Sequence, residues 1–261
     1  MSMHIKSPAG TPDIAVHSVR VKPTTASKTV TANGTYNAST DNVDGYSSVT
    51  VNVEGGLPVE FLKSIKSQGN SIIVTDIVLQ PSWQLDLTFK ASSTSLGGEA
   101  GWFVGSFRLD SGNNVTDSSV ASFSANQIIV AFGQTFANSR SMRLYSEDYN
   151  SINTLILRNG NYCTYNTDYL SLPTPTLSNS IPISISGITK VDDETVQYIP
   201  YNEREVTFYG AKIYDGSGNL AHNFVPAKSK VTNRGGMYDT ITATFYPSSS
   251  DFDDFVKEAI T

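Results

Sequence analysis

The 261-residue sequence predicts an all-β protein built as a sandwich or jelly roll, and three observations carry that prediction. Ser, Thr, Asn, Gly and aromatic residues are abundant while charged residues are few. Short strands joined by tight turns use that mixture; a helical bundle would need Ala, Leu, Glu and Lys at helical spacing. Residues 83–90 (WQLDLTFK) alternate, with Trp83, Leu85, Leu87 and Phe89 on one face and Gln84, Asp86, Thr88 and Lys90 on the other. A strand packed on one side and wet on the other reads this way. Finally, short apolar runs recur along the chain with turn residues between them, as in sandwiches rather than α/β folds.

Taken in order, residues 1–27 are short of large apolar residues and punctuated by Pro8, Pro12 and Pro23. Ile14 and Val16, then Val19 and Val21, alternate with polar neighbours. The pattern predicts an extended arm that gains affinity by pairing with the edge of another subunit, with a flexible tail as the alternative. Residues 28–56 predict a small β unit ending in a hinge: Asn33-Gly34 suits a hairpin turn, Val49, Val51 and Val53 share a face, and Gly55-Gly56 loosens the chain. So short a unit buries little core alone and needs a neighbour to pack on.

The sandwich is expected over residues 57–250. After 83–90, its strands are predicted near 101–109, 119–123, 127–133, 140–145, 154–158, 161–165, 181–187 and 196–199. From Val206 a further strand meets Asp215-Gly216-Ser217-Gly218-Asn219, a cluster that supplies positive φ and side-chain-to-backbone bonds, and the chain returns through Leu220 to Val225. Residues 251–261 predict a short terminal helix: Ser249 or Ser250 caps it, acids crowd its first turn, and Phe252, Phe255, Val256 and Ala259 share one side.

The succession strand, KIYDG, strand, FVP, GMYD, FY between Val206 and Tyr246 resembles the closing segment of concanavalin-like (laminin-G-type) jelly-roll domains, in particular those on structural proteins of bacteriophages and prophages. The phrase ANGTYNAS…DGYSSVTVNV is similar to a short repeat of phage tail and fibre proteins, and residues 59–64 and 70–77 look like the first strand pair of the same jelly-roll family. The resemblance implies a non-enzymatic virion structural protein, of fibre or tail type. Its N-terminal region would attach to other virion proteins through Ile14, Val16, Val19 and Val21, and the sandwich would bind a host-surface glycan or protein. It also implies a homotrimer exposed on the particle, with no cofactor. Capsid decoration without a receptor and a surface glycoside hydrolase are the alternatives.

The net charge of −6, with no Lys/Arg block, argues against nucleic acid as a partner. No apolar run approaches the roughly 18 residues that span a bilayer, and the first residues lack the apolar core of a secretory signal, so neither membrane insertion nor a signal is expected. The single cysteine, Cys163, reads as a buried filler. His4, His17 and His222 are too scattered for a zinc triad, and His222 reads as a turn residue. Glu203 and Glu205 are the nearest approach to a glycosidase pair but straddle Arg204 at a solvated strand end. Asp215, Ser217 and Asn219 mimic the first ligands of a calcium loop, yet Pro226 stands where the bidentate acid belongs, so a plain hairpin turn is expected. A glycan site would set an aromatic platform against a sugar ring, and Trp102, Tyr145, Tyr149, Tyr162 and Tyr165 lie in suitably polar sequence, with Tyr169 beside them.

Overall fold

The structure, a computed structural model, describes residues 57–261 apart from 81, 96–100, 125–126, 134, 144, 146–147, 159–161, 175, 178–179, 193, 203 and 261, with the side chains of 94, 95, 102, 122–124 and 158 also outside it. Of residues 1–56 it describes the backbone of six strands. The chain divides into two compact units, Met1–Pro58 and Val59–Thr261.

The first unit holds β1 (Met3–Lys6), β2 (Ile14–Val16), β3 (Val19–Val21), β4 (Lys28–Val30), β5 (Gly34–Asn37) and β6 (Ser48–Val53). Four of them form a sheet in the order β2-β1-β6-β5, while β3 pairs with β4. The expected arm and the expected β unit therefore share hydrogen bonds, with Met3 opposite Val53 and Ile5 opposite Val51. Asn33, offered as a hairpin turn, lies outside the described residues; β4 before it pairs with β3, and β5 after it with β6.

The second unit contains β7 (Val59–Ser67), β8 (Ile73–Val74), β9 (Gln84–Ser95), β10 (Trp102–Leu109), β11 (Val115–Ser124), β12 (Gln127–Phe132), β13 (Arg140–Arg143), β14 (Asn153–Arg158), β15 (Tyr162–Tyr165) and β16 (Asp168–Ser171). It continues with β17 (Ser184–Ile185), β18 (Gly187–Asp192), β19 (Thr195–Pro200), β20 (Arg204–Tyr214), β21 (Leu220–Ser229), β22 (Gly235–Asp239), β23 (Thr244–Pro247) and β24 (Val256–Ala259). One sheet runs β16-β15-β14-β9-β20-β7-β21-β22-β23, with β24 beside β7. The other runs β13-β12-β11-β10-β17-β8, with β18 beside β10 and β19 beside β18. The chain passes back and forth between the sheets, from β7 to β8, back to β9, over to β10–β13, back to β14–β16, and again through β17–β19 to β20. The result is an all-β sandwich, antiparallel except where β18 runs parallel to β10, and consistent with a jelly roll.

Why these residues make these sheets is visible in β9 and β20. Leu85, Leu87 and Phe89 are buried at every second position, as the alternation requires. In β20 the buried apolar set is Val206, Phe208, Ala211 and Ile213, a shift from even to odd positions. A bulge between Phe208 and Gly210 absorbs the extra residue and keeps both halves facing inward. The core lies between the sheets, where Phe89 of β9 meets Phe103 of β10 with ring centroids 5.4 Å apart. Cys163 is fully buried in it, as its surroundings in sequence suggested.

Two expectations are corrected. Residues 59–64 and 70–77 are not a strand pair: β7 and β8 belong to different sheets. Nor is there a terminal helix; residues 249–252 turn and β24 is a strand paired with β7, Val256 opposite Lys66 and Glu258 opposite Ser64. Tertiary partners take the groups that a helix would use internally. The N–H of Ser249 donates to the carbonyl of Ile72 and that of Asp253 to Asn70. Arg234 Nη2 donates to the carbonyls of Ser249 (2.6 Å) and Phe252 (2.9 Å). Asp254, one of the acids assigned to the first helical turn, accepts from Gly235 N and Ser248 Oγ. Of the supposed apolar stripe Phe255 alone is buried, while Val256 is exposed.

Candidate functional site

At one end of the sandwich the chain brings together the start of β9, the turn between β20 and β21, and the turn between β22 and β23. Trp83 precedes β9, Gln84 pairs with Tyr214 beside the turn, and His222 lies two residues into β21. Beside the β20–β21 turn, these strands and the stretch after β8 border an open pocket of about 310 Å³ lined by Trp83, His222, Asp76, Tyr246, Thr242 and Thr244 over Ile77 and Val78. Strand geometry places the rings. His222 and Phe224 are two apart on one face of β21, so they stack at 6.0 Å and 12°. Phe224 is buried, whereas His222 reaches past the core, where Trp83 meets it at 6.2 Å. Tyr246 packs edge-on against Phe224 at 5.7 Å.

The polar groups are fixed from behind. The pairing of Phe224 with Asp239 brings the Asp239 carboxylate under His222. Asp239 is completely buried, and its Oδ2 lies 2.7 Å from His222 Nδ1 and accepts from Thr242 Oγ1 at 2.7 Å. Its Oδ1 accepts the backbone N–H of Asn223 (2.9 Å) and of Ile241 (3.0 Å). Burial pushes this carboxyl up, but the bonds from Asn223, Thr242, His222 and Ile241 outweigh it and hold the group below the usual carboxylate range. An ionised Asp239 accepts, so Nδ1 carries a proton, and in the neutral imidazole Nε2 is the free acceptor. On the far wall Tyr246 Oη donates to Asp76 Oδ1 at 2.6 Å. Burial and the adjacent Asp76 carboxylate push the Tyr246 phenol up, so it stays a donor.

The chemistry open to this arrangement is recognition of a small polar ring or chain. Two aromatic faces offer apolar contact, and a carboxylate, an imidazole and two threonine hydroxyls offer hydrogen bonds at the rim. The Asp239–His222 pair is also the base-and-orienter half of a nucleophilic triad. Among the described residues, however, no hydroxyl or thiol is hydrogen-bonded to His222 Nε2.

The residues expected from sequence fall elsewhere. Tyr145 is exposed, with the Arg143 guanidinium 5.4 Å from its ring centre; Tyr149 is half-buried, with Arg204 at 4.9 Å. Both flank Asp148, whose Oδ2 accepts the N–H of Tyr145 and whose Oδ1 accepts from Asn166. That cluster sits at the opposite end of β9 from Trp83, since Asn150 N donates to Ala91 and Arg204 to Ser93. Tyr162 stacks on the exposed Tyr169 at 5.2 Å on the β15–β16 edge. Tyr165 is buried beside Phe89 and is core packing. The Trp102 side chain, Glu203, and the side chains of Ile14, Val16, Val19 and Val21 lie outside the described residues, as do those of His4 and His17. Glu205 is ion-paired with Lys66 at 3.2 Å.

Asp215 does close a hairpin. Its Oδ1 accepts the N–H of Ser217 and of Asn219, both at 2.8 Å, and Asn219 Nδ2 reaches Oδ2 at 3.1 Å, with Gly218 at φ +83°. The loop Asp110-Ser111-Gly112-Asn113-Asn114 between β10 and β11 repeats this design, with Asn113 at φ +60° in the place of Gly218. Sequence reasoning singled out only the first of the two. It also passed over Trp83, Asp76, His222, Asp239 and Tyr246 as a group. The usable signal was Asp239 itself, an acid ending an apolar strand three residues before Thr242, the spacing of a side-chain-capped turn. Comparison of the chain with models of known protein families, with curated protein sequences and with solved structures finds no match.

Proposed function

We propose that this chain is a structural protein of a bacteriophage or prophage particle, of fibre or tail type, whose sandwich binds a glycan on the host surface through the Trp83 pocket. Its N-terminal unit attaches to other virion proteins, and the particle carries it as a homotrimer, so that several weak contacts act together. The pocket is the observation that carries the binding part: Trp83, His222 and Tyr246 rings beside the Asp76, Thr242 and Thr244 oxygens, the pairing of flat apolar surface with rim hydrogen bonds that a sugar requires. The phage part rests on the resemblances at residues 28–54 and 206–246, and the division after Pro58 supports separate attachment and display.

The test is binding of the full chain to an immobilised oligosaccharide panel, repeated with Trp83→Ala. A binding member of the panel should lose affinity by about thirtyfold in the variant, the effect of removing an aromatic anchor worth about 2 kcal/mol. Binding that survives the substitution moves the site away from this pocket. A panel without any binder overturns the glycan reading.

A further inference from the structure

We infer that the Trp83 pocket selects uncharged or amino-bearing sugars and rejects acidic ones such as uronic acids and phosphorylated glycans. The inference rests on the glycan reading above and adds the class of sugar. It follows from the hydrogen-bonding state of four rim residues, Asp76, Thr242, Tyr246 and His222. Asp76 lines the pocket and receives one bond, from Tyr246 to Oδ1 at 2.6 Å, which leaves acceptor capacity on its carboxylate. Thr242 has committed its proton to Asp239, so its oxygen presents lone pairs. Tyr246 has likewise committed its proton to Asp76. With Nδ1 held by Asp239, the neutral His222 adds Nε2 as a further acceptor. These four acceptors fit the hydroxyl protons of a sugar, or an ammonium, while the Trp83 indole N–H and the Thr244 hydroxyl add donors that a sugar oxygen can use.

Charge points the same way in either state of His222. With a neutral imidazole the site carries Asp76 and, behind it, Asp239; with an imidazolium the His222–Asp239 pair cancels and Asp76 remains. Neither Lys nor Arg is among the lining residues. An anionic substituent about 5 Å from Asp76, at an effective dielectric of about 20, would lose affinity on the order of a hundredfold. An amino group on the ring would instead gain from Asp76 and from the Trp83 and Tyr246 faces.

Four probes separate the outcomes for the full chain: a neutral hexose oligomer, a glucosamine oligomer, a hexuronic acid oligomer and a polyol-phosphate chain, each titrated by calorimetry. The expected result is binding of the neutral or the amino oligomer, with both acidic probes weaker by at least about tenfold. Asp76→Asn keeps the shape and still accepts from Tyr246, and it should narrow that gap by about tenfold. Asp76 is exposed, and an unchanged melting temperature confirms that the variant folds. An acidic probe bound as tightly as the neutral one, or a gap untouched by Asp76→Asn, overturns the inference and leaves the glycan reading standing. Silence from all four probes overturns both.

Discussion

Asp239→Ala is the sharpest perturbation that the pocket offers. The carboxylate is wholly buried and accepts from two backbone N–H groups, one hydroxyl and one imidazole. His222 and Thr242 line the pocket and can turn to water when the acceptor disappears, so their loss costs little. The N–H groups of Asn223 and Ile241 cannot turn, and each part-buried donor left without an acceptor costs about 1–3 kcal/mol. The expected destabilisation is therefore about 4 kcal/mol, which for a unit of this size lowers the melting temperature by roughly 10 °C. The effect also has a pH signature. Asp239 titrates below its ordinary value, so its contribution is full above about pH 4 and disappears as the pH falls through the folded-state value. Against Asp239→Asn, which cannot ionise, the wild-type advantage should shrink as melts are repeated from pH 6 down to pH 3. Differential scanning calorimetry measures both effects. A shift under about 2 °C for Asp239→Ala, or an advantage over Asn that is flat with pH, would refute the claim that this carboxylate pins the wall of the pocket.

Two further outcomes test other parts of the structure. Burial pushes the Cys163 thiol up to about 12, so an aromatic disulfide reagent at pH 8 should leave the native chain unlabelled and react fully after guanidinium unfolding; fast native labelling would contradict the packing of β15. Ending the chain after Phe255 removes β24 and uncovers the Leu62–Lys66 edge of β7. The truncated protein should lose about 2 kcal/mol and self-associate on a sizing column, whereas a frayed helix in that place could be deleted with neither effect.

Strand positions were legible because burial on one face imposes period two, and Leu85, Leu87 and Phe89 state it without interruption. The bulge in β20 was legible in principle as well: the change of phase from Phe208 to Ala211 has no other explanation in a strand that stays buried. The C-terminal segment was not. Its acids and spaced phenylalanines satisfy a local helix rule, but Arg234 and Gly235, which bind the carbonyls of Ser249 and Phe252 and the carboxylate of Asp254, come from elsewhere in the sequence. Tertiary hydrogen bonds decided the matter, and local propensity does not report them. The pocket was hidden for the same reason. His222 and Asp239 meet through the pairing of β21 with β22, and Trp83 obeys the alternation of β9 while standing one step outside the core.

The acids show how a binding group can be told from a structural one once the bonds are known. Asp110 and Asp215 each close their own hairpin with several donors from within the loop. Asp254 holds the C-terminal segment to Gly235, Ser248 and Lys257, and Asp239 is consumed by four partners behind His222. In all four the net balance of bonds against burial holds the carboxyl below its usual range, which is the mark of a charge already satisfied by the protein. Asp76 differs: it is exposed, takes a single bond from Tyr246 and lines the pocket along with Trp83 and Tyr246. Its one bond holds the Tyr246 hydroxyl and leaves lone pairs to spare beside a flat apolar surface. A ligand bearing hydroxyl or ammonium protons uses both features at once, which is why the proposed site centres on Asp76 and Trp83 and not on the more numerous acids that hold the turns.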